Sequence, residues 1–262
     1  MRAYIEYARK SFIGSMVYKI DYIAGMINTI LQIFIFWCLY KIIYGNSAEF
    51  DGITLAMVMT SFILSLGLSN TFYLNDSYLQ RKIYDGTIAN ELLKPVSFKG
   101  RLLAEDIGNI LSRLLTNFLP ELVITALTIG IMAPASIFAL LLFLTSTVLG
   151  FFVLWQLSFI IQVLAFWLVN IWSISTIKNV FVNILSGTML PLWFMPEAVF
   201  NLIKYTPFDS IYFTPVRLYF GQILGSDIVY NFLRQIFWIL LLYAIGEILW
   251  RAGQRKLVIQ GG

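Results

Sequence analysis

The sequence predicts an all-α membrane protein with six transmembrane helices, and three observations carry that expectation. Apolar residues make up 59% of the 262 residues and charged residues only 12%, where a soluble domain carries about a quarter charged. The mean hydropathy is correspondingly high, at +0.80. Six continuous apolar stretches follow one another: Asp21–Ile43, Ile53–Leu74, Ile107–Met132, Ser136–Gln162, Ile171–Leu192 and Ile228–Trp250. Each approximates the roughly 20 residues that cross about 30 Å of hydrocarbon as a helix. Backbone polar groups in lipid must be satisfied internally, which leaves helices or a closed barrel. The runs do not alternate, so a barrel is disfavoured. Finally, one polar, basic segment, Asn75–Asp106, separates the second stretch from the third. Residues 1–262 read as a single transmembrane domain with no soluble domain attached.

Residues 1–20 lack the 7–15-residue apolar core of a signal peptide and carry Arg2, Glu6, Arg9, Lys10 and Lys19. Ile5, Ala8, Phe12, Met16 and Ile20 recur at helical spacing between these charges. The segment reads as a helix lying in the membrane interface, a frayed tail being the alternative. Basic residues then set the orientation. Arg2, Arg9, Lys10, Lys19, Arg81, Lys82, Lys94, Lys99, Arg101, Arg251, Arg255 and Lys256 fall on one side. Lys41, Lys204, Arg217 and Arg234 fall on the other, offset by Glu49, Asp51, Glu197, Asp209 and Asp227. Both termini and the long polar segment are therefore expected to be cytoplasmic, and the net charge of +4 is no sign of nucleic-acid binding.

Within the polar segment, Asp85-Gly86 signals a turn and Thr87 suits a helix N-cap. A short helix over Ile88–Leu93 must end before Pro95, because the residue preceding proline avoids the helical region. Ile88, Leu92 and Leu93 are expected on one apolar face, suited to docking in a partner's groove or to packing back on the membrane domain.

Polar residues inside a bilayer are costly and mark structure or function. The third stretch carries Arg113, Asn117, Glu121, Thr125 and Thr128, which helical periodicity puts on one face. Glu121 follows Pro120, where a kink is expected. The stripe either lines a pathway or subunit interface, or it joins neighbouring helices. Thr176, Asn179, Asn183 and Gly187 repeat the pattern in the fifth stretch. Lys178 either pairs with a carboxylate or reaches the cytoplasmic interface. Ser61, Ser65 and Ser69 in the second stretch read as close helix packing. Between Pro191 and Gly221, four of the chain's seven prolines (Pro191, Pro196, Pro207 and Pro215) exclude a continuous helix. Nine aromatics interleave with them. Pro191, Trp193, Phe194 and Pro196 form a candidate outer gate, or part of an aromatic interface belt.

Several chemistries are missing. There is no histidine, and Cys38 is the sole cysteine, so the commonest general base and metal ligands are absent. Neither phosphate-binding glycine motif occurs. The chain does not read as an enzyme, and any use of ATP is expected to come from another chain.

Gly86-Thr87-Ile88 with Leu92-Leu93-Lys94-Pro95-Val96-Ser97 resembles a signature of permeases in type-2 (exporter) ABC transporters. Leu185–Pro196, Pro207-Phe208, Pro215–Gly221 and the terminal Gln260-Gly261-Gly262 resemble the same family. The resemblance implies that residues 2–20 and the cytoplasmic coupling helix within Asp85–Ser97 contact a nucleotide-binding ATPase subunit. The contacts would involve Asp85, Gly86, Thr87, Ile88, Leu92, Leu93 and Pro95. It further implies a second permease subunit, of the same or a different chain, and re-entrant extracellular helices over 191–221. No cofactor is expected on this chain, with ATP and Mg on the ATPase. The implied setting is a bacterial plasma (inner) membrane, and the implied activity is outward movement of a hydrophobic or amphipathic solute. Asn117, Glu121, Thr125, Asn179 and Asn183 become candidates for the pathway or the permease–permease interface. Two other readings stand beside this one: an ion-coupled secondary transporter or channel using Glu121 and Lys178, and a membrane anchor for a cytoplasmic complex.

Overall fold

A computed structural model describes residues 2–17, 19–45 and 49–256; the terminal Gln260-Gly261-Gly262 motif lies outside them. The chain opens with helices α1 (Arg2–Ser15) and α2 (Lys19–Tyr44). A small antiparallel hairpin follows, β1 (Glu49–Phe50) and β2 (Ile53–Thr54), with Phe50 opposite Ile53. Its turn residues, Asp51 (φ 48°) and Gly52 (φ 75°), both take the positive φ that favours Asp-Gly in tight hairpins. The second apolar stretch therefore does not enter a helix at Ile53, as expected from hydropathy alone. Thr54 makes the transition, its hydroxyl oxygen accepting a hydrogen bond from the Met57 N–H at 3.2 Å to cap α3 (Leu55–Thr71).

The polar segment 75–106 is mostly helical rather than a loop. It holds α4 (Tyr78–Tyr84), α5 (Ile88–Leu92) and the first half of α6 (Phe98–Arg113). Ser97 caps α6 by accepting from the Gly100 N–H at 3.1 Å, so the third long helix starts nine residues before the apolar stretch does. A π turn, Leu114–Phe118, then joins α6 to α7 (Leu119–Thr128). Proline causes it. Pro120 has no N–H for the Thr116 carbonyl, and its ring would collide there in a regular helix. The turn ahead widens instead, and the Leu119 N–H reaches the Leu114 carbonyl. The expected distortion is present, one turn before the proline.

Helix α8 (Ile137–Val163) runs through a 3₁₀ turn (Leu164–Phe166), and α9 (Trp172–Leu185) follows. Another 3₁₀ turn (Leu192–Phe194), α10 (Glu197–Ile203) and α11 (Phe213–Tyr219) precede the last helix, α12 (Ser226–Gln254). Four helical runs among the described residues are long and apolar enough to cross a membrane: Tyr22–Tyr44, Phe98–Thr128, Ile137–Phe166 and Ser226–Gln254. α3 has 17 residues and α9 only 14; at 1.5 Å per residue α9 extends about 21 Å.

Stacked rings mark one end of this bundle and hydrogen bonds the other. At the basic end, Trp250 of α12 stacks on Phe98 at the start of α6 (centroids 5.1 Å apart) and meets Phe166 after α8 (5.6 Å). α1 lies along α6 there, so closely that a Cβ on Gly108 would overlap the Ala8 carbonyl. At the hairpin end, the Tyr219 hydroxyl donates to the Met132 carbonyl (2.8 Å), and the Met132 N–H donates to Thr60 (2.9 Å).

Candidate functional site

A polar cavity of about 580 Å³ lies in the half of the bundle nearer the basic end. Asn28 comes from the first half of α2, while Ser69 and Asn70 come from the last turns of α3. Asn117 comes from the π turn, and Asn179 and Asn183 come from successive turns of α9. Two cations join these amides. The Arg113 guanidinium donates to the Tyr73 carbonyl at 2.6 Å. The buried Lys178 ammonium donates to Asp76 Oδ2 at 2.7 Å and to the Ser158 hydroxyl at 2.8 Å. Tyr22, Tyr73 and Tyr212 add aromatic faces. Amides that both donate and accept, beside a cation and rings, suit a polar head group more than a bare hydrocarbon.

The polar stripe expected on one face of the third long helix is split. Arg113 and Asn117 face the cavity, whereas Glu121 and Thr125 are buried away from it, Glu121 beside α3. The π turn is the reason: its extra residue per turn breaks the four-residue spacing, so positions before and after it point differently. Glu121 sits where α3 offers Gly67. A Cβ there would come within 3.2 Å of the Glu121 carboxyl and 2.6 Å of the Phe118 ring. Thr125 donates back to the Glu121 carbonyl at 2.8 Å, and Thr128 is exposed. The serine stripe divides too: Ser61 and Ser65 are buried in packing while Ser69 lines the cavity.

Near the basic end, α5 hangs between two turns. Thr87 occupies its N-cap position but makes no side-chain cap, so the expected capping bond is absent. The apolar face expected for Ile88, Leu92 and Leu93 is divided. Ile88 is buried in the same apolar core cluster as Leu79, Phe98 and Leu102, and the half-buried Leu92 packs against that cluster. Leu93 is 82% exposed, as is Tyr84 at 85%, and Asp85, Gly86 and Pro95 are also exposed. Five residues give a helix too short to keep a single stripe. Glu91 anchors it from inside. Its Oε2 accepts from Lys94 Nζ at 2.7 Å and pairs with the buried Arg101, and its Oε1 lies 3.5 Å from Lys82 Nζ. Burial pushes this carboxyl upward. The Lys94 hydrogen bond and the charges of Arg101, Lys94 and Lys82 outweigh that, holding it below the ordinary carboxylate range.

Residues 26–261, nearly the whole chain, match the family model described as ABC-2 family transporter protein. The chain belongs to that family. No curated protein is similar enough to match it. As an ABC-2 permease it is a multi-pass membrane component of an ABC transporter, non-enzymatic itself and of the kind that works with ATPase subunits.

In this permease the segment Pro191–Gly221 is folded into pieces of at most seven residues. Trp193 meets Phe213 edge-on (5.1 Å) and donates to Gln222 at 3.2 Å. Phe194 stacks on Tyr40 of α2 (6.1 Å). Pro191 is buried and Pro196, exposed, opens α10. Trp193 thus ties the segment to itself and Phe194 ties it to α2, and none of the four residues lines the cavity. Two residues of α12 hold the permease's segment in place. Arg234 donates to Asp209 at 2.6 Å and to the Lys204 carbonyl at 3.0 Å. Gln235, fully buried, donates to the Ser210 and Ser146 carbonyls at 2.8 and 3.0 Å. Charge counting had treated Arg234 and Asp209 only as offsetting charges. Asn28, Asn70 and Asp76 were also passed over, although a lone polar residue at the edge of an apolar stretch is itself the signal.

Proposed function

We propose that this permease is the membrane half of an ATP-driven exporter that moves an amphipathic solute outward. α2, α3, the α6–α7 run, α8, α9 and α12 act as its six spans. Both termini and the α4–α5 segment lie in the cytoplasm of a bacterial cell. Two such subunits, identical or not, face each other over separate ATPase chains, which carry ATP and Mg. The exposed tip Tyr84–Gly86 and Leu93–Pro95 meets the ATPase, and the segment 191–221 closes the outer side.

The observation that carries this reading is the polar cavity in the half of the bundle nearer the basic end. A purely hydrophobic cargo would strand the asparagine amides, each at a cost of about 1–3 kcal/mol. A solute with a polar head satisfies them and leaves its apolar part to Phe72, Leu154 and Val182.

The test is gentle purification from the native membrane followed by intact-complex mass measurement. ATPase chains carrying phosphate loops, with two permeases, are the expected result. A lone chain or a simple homo-oligomer sinks the proposal and favours an ion-coupled transporter. In the purified complex, Asn117→Leu and Asn183→Leu are expected to weaken stimulation by a transported amphiphile by about 2- to 10-fold each, the worth of one hydrogen bond. Equal changes for head-group-free hydrocarbons would refute the polar-head assignment.

A further inference from the structure

The α4 segment is joined to the cavity wall by a chain of polar contacts that packing does not require. Asp76, two residues before α4 and only 4% exposed, accepts from Lys178 at 2.7 Å and from the Ser175 hydroxyl, both on α9. Two residues into α4, Gln80 donates to the Val169 carbonyl at 2.7 Å and accepts from the Ile171 N–H at 3.5 Å. Val169 and Ile171 lead into α9. The same α9 presents Asn179 and Asn183, one and two turns beyond Ser175, to the cavity. Apart from these bonds α9 is thinly held. Only Lys178 and Val182 are buried in it, while Trp172, Ile177, Val180 and Phe181 are at least half exposed. A buried ion pair is a poor device for stability alone, because desolvation offsets most of its attraction. It is directional, however, and fixes the position of one element against another.

We propose that Asp76 and Gln80 are positioning residues that tie α4 to the base of α9, so that displacement of the α4–α5 segment moves the cavity wall. The inference rests on the ATPase-driven reading above. Force applied at the tip Tyr84–Gly86 reaches Asp76 and Gln80 along α4. Lys178, Ser175 and the Val169–Ile171 strap pass it to α9. Asn179 and Asn183 then turn in the cavity, changing which groups face the solute.

The experiment uses the purified complex in nanodiscs with Cys38→Ser and Asn183→Cys, which leaves one cysteine in the cavity. Its reaction with a membrane-impermeant maleimide is timed without nucleotide and after trapping with ATP and vanadate, and trapped nucleotide is quantified on the same sample. In this parent, trapping should change the labelling rate by about fivefold or more, the lower end of coupling between sites. Asp76→Ala and Gln80→Ala should each trap the same nucleotide but change labelling less than about twofold. The swapped pair Asp76→Lys with Lys178→Asp should restore the response. Because Asp76→Ala leaves Lys178 without its carboxylate, Gln80→Ala, which removes no charge, decides the matter if the former misfolds. Variants that trap nucleotide and respond as the parent does overturn the link while leaving the exporter reading intact. An unsubstituted complex that traps no nucleotide overturns that reading, and this inference with it.

Discussion

At the scale of single residues, the polar groups that matter are those with an identifiable partner. Glu91 is the clearest. Its carboxyl is held below the ordinary range, so its contribution to stability is complete above that range and is lost as pH falls through the depressed value. Protection of the amides of residues 85–95, taken relative to their intrinsic exchange rates at each pH, should therefore fall on acidification, and Glu91→Gln should reproduce that state at neutral pH. The loss should be about 1.5–3 kcal/mol, typical of a hydrogen bond to a charged group. Unchanged exchange in the variant would show that Lys82, Lys94 and Arg101 do not hold α5 through this carboxylate. Gly108 gives a second test. Any side chain there meets the Ala8 backbone, which cannot rotate away as a side chain could. Gly108→Val should cost about 1–3 kcal/mol as overpacking, seen as raised exchange in α1 with the other helices unaffected. Protection of α1 at the parent's level would contradict the close approach.

Among the elements, the π turn has the widest consequences. Restoring the N–H with Pro120→Ala removes the reason for the wide turn. Relaxation to a regular helix would rotate α6 relative to α7 by about one residue's worth, roughly 100°. A cysteine at position 117 should then lose reactivity toward a polar maleimide, while one at 183 keeps it. Retained reactivity at 117 would mean that packing, not proline, sustains the turn. This element also marks the limit of reading the chain as text. Hydropathy located the apolar helices and Pro120 located the distortion. The stripe from Arg113 to Thr128 assumed uninterrupted helical geometry, and a π turn carries no letter code of its own. The hairpin was legible in principle, since Asp51-Gly52 is a strong turn signal, but two-residue strands vanish inside an apolar window. On α5, the separation of Ile88 from Leu93 depended on what packs against a five-residue helix, which no local pattern records. Asp76 and Lys178 lie 102 positions apart, beyond any local pattern.

For the whole molecule, the two ends are built differently. The basic end is an assembly of charge pairs and stacked rings around α1, α4, α5 and the close of α12. The hairpin end is short pieces clasped by Arg234 and Gln235. Between them, α9 stops after 14 residues and hands over to α10 and α11 rather than continuing. In the role of fifth span proposed for it, α9 would cover about 21 Å of a hydrocarbon layer of about 30 Å, too little to cross it. Such mismatch costs fractions of a kcal/mol per ångström, small per residue yet comparable to the gap between two conformations of a transporter. The permease should then read the thickness of its membrane. ATP turnover by the complex should differ between vesicles of short-chain and long-chain phosphatidylcholine, and lengthening α9 by one helical turn should move the preferred lipid toward the thicker one. Turnover indifferent to chain length would mean that α10 and α11, not lipid, fill the missing depth.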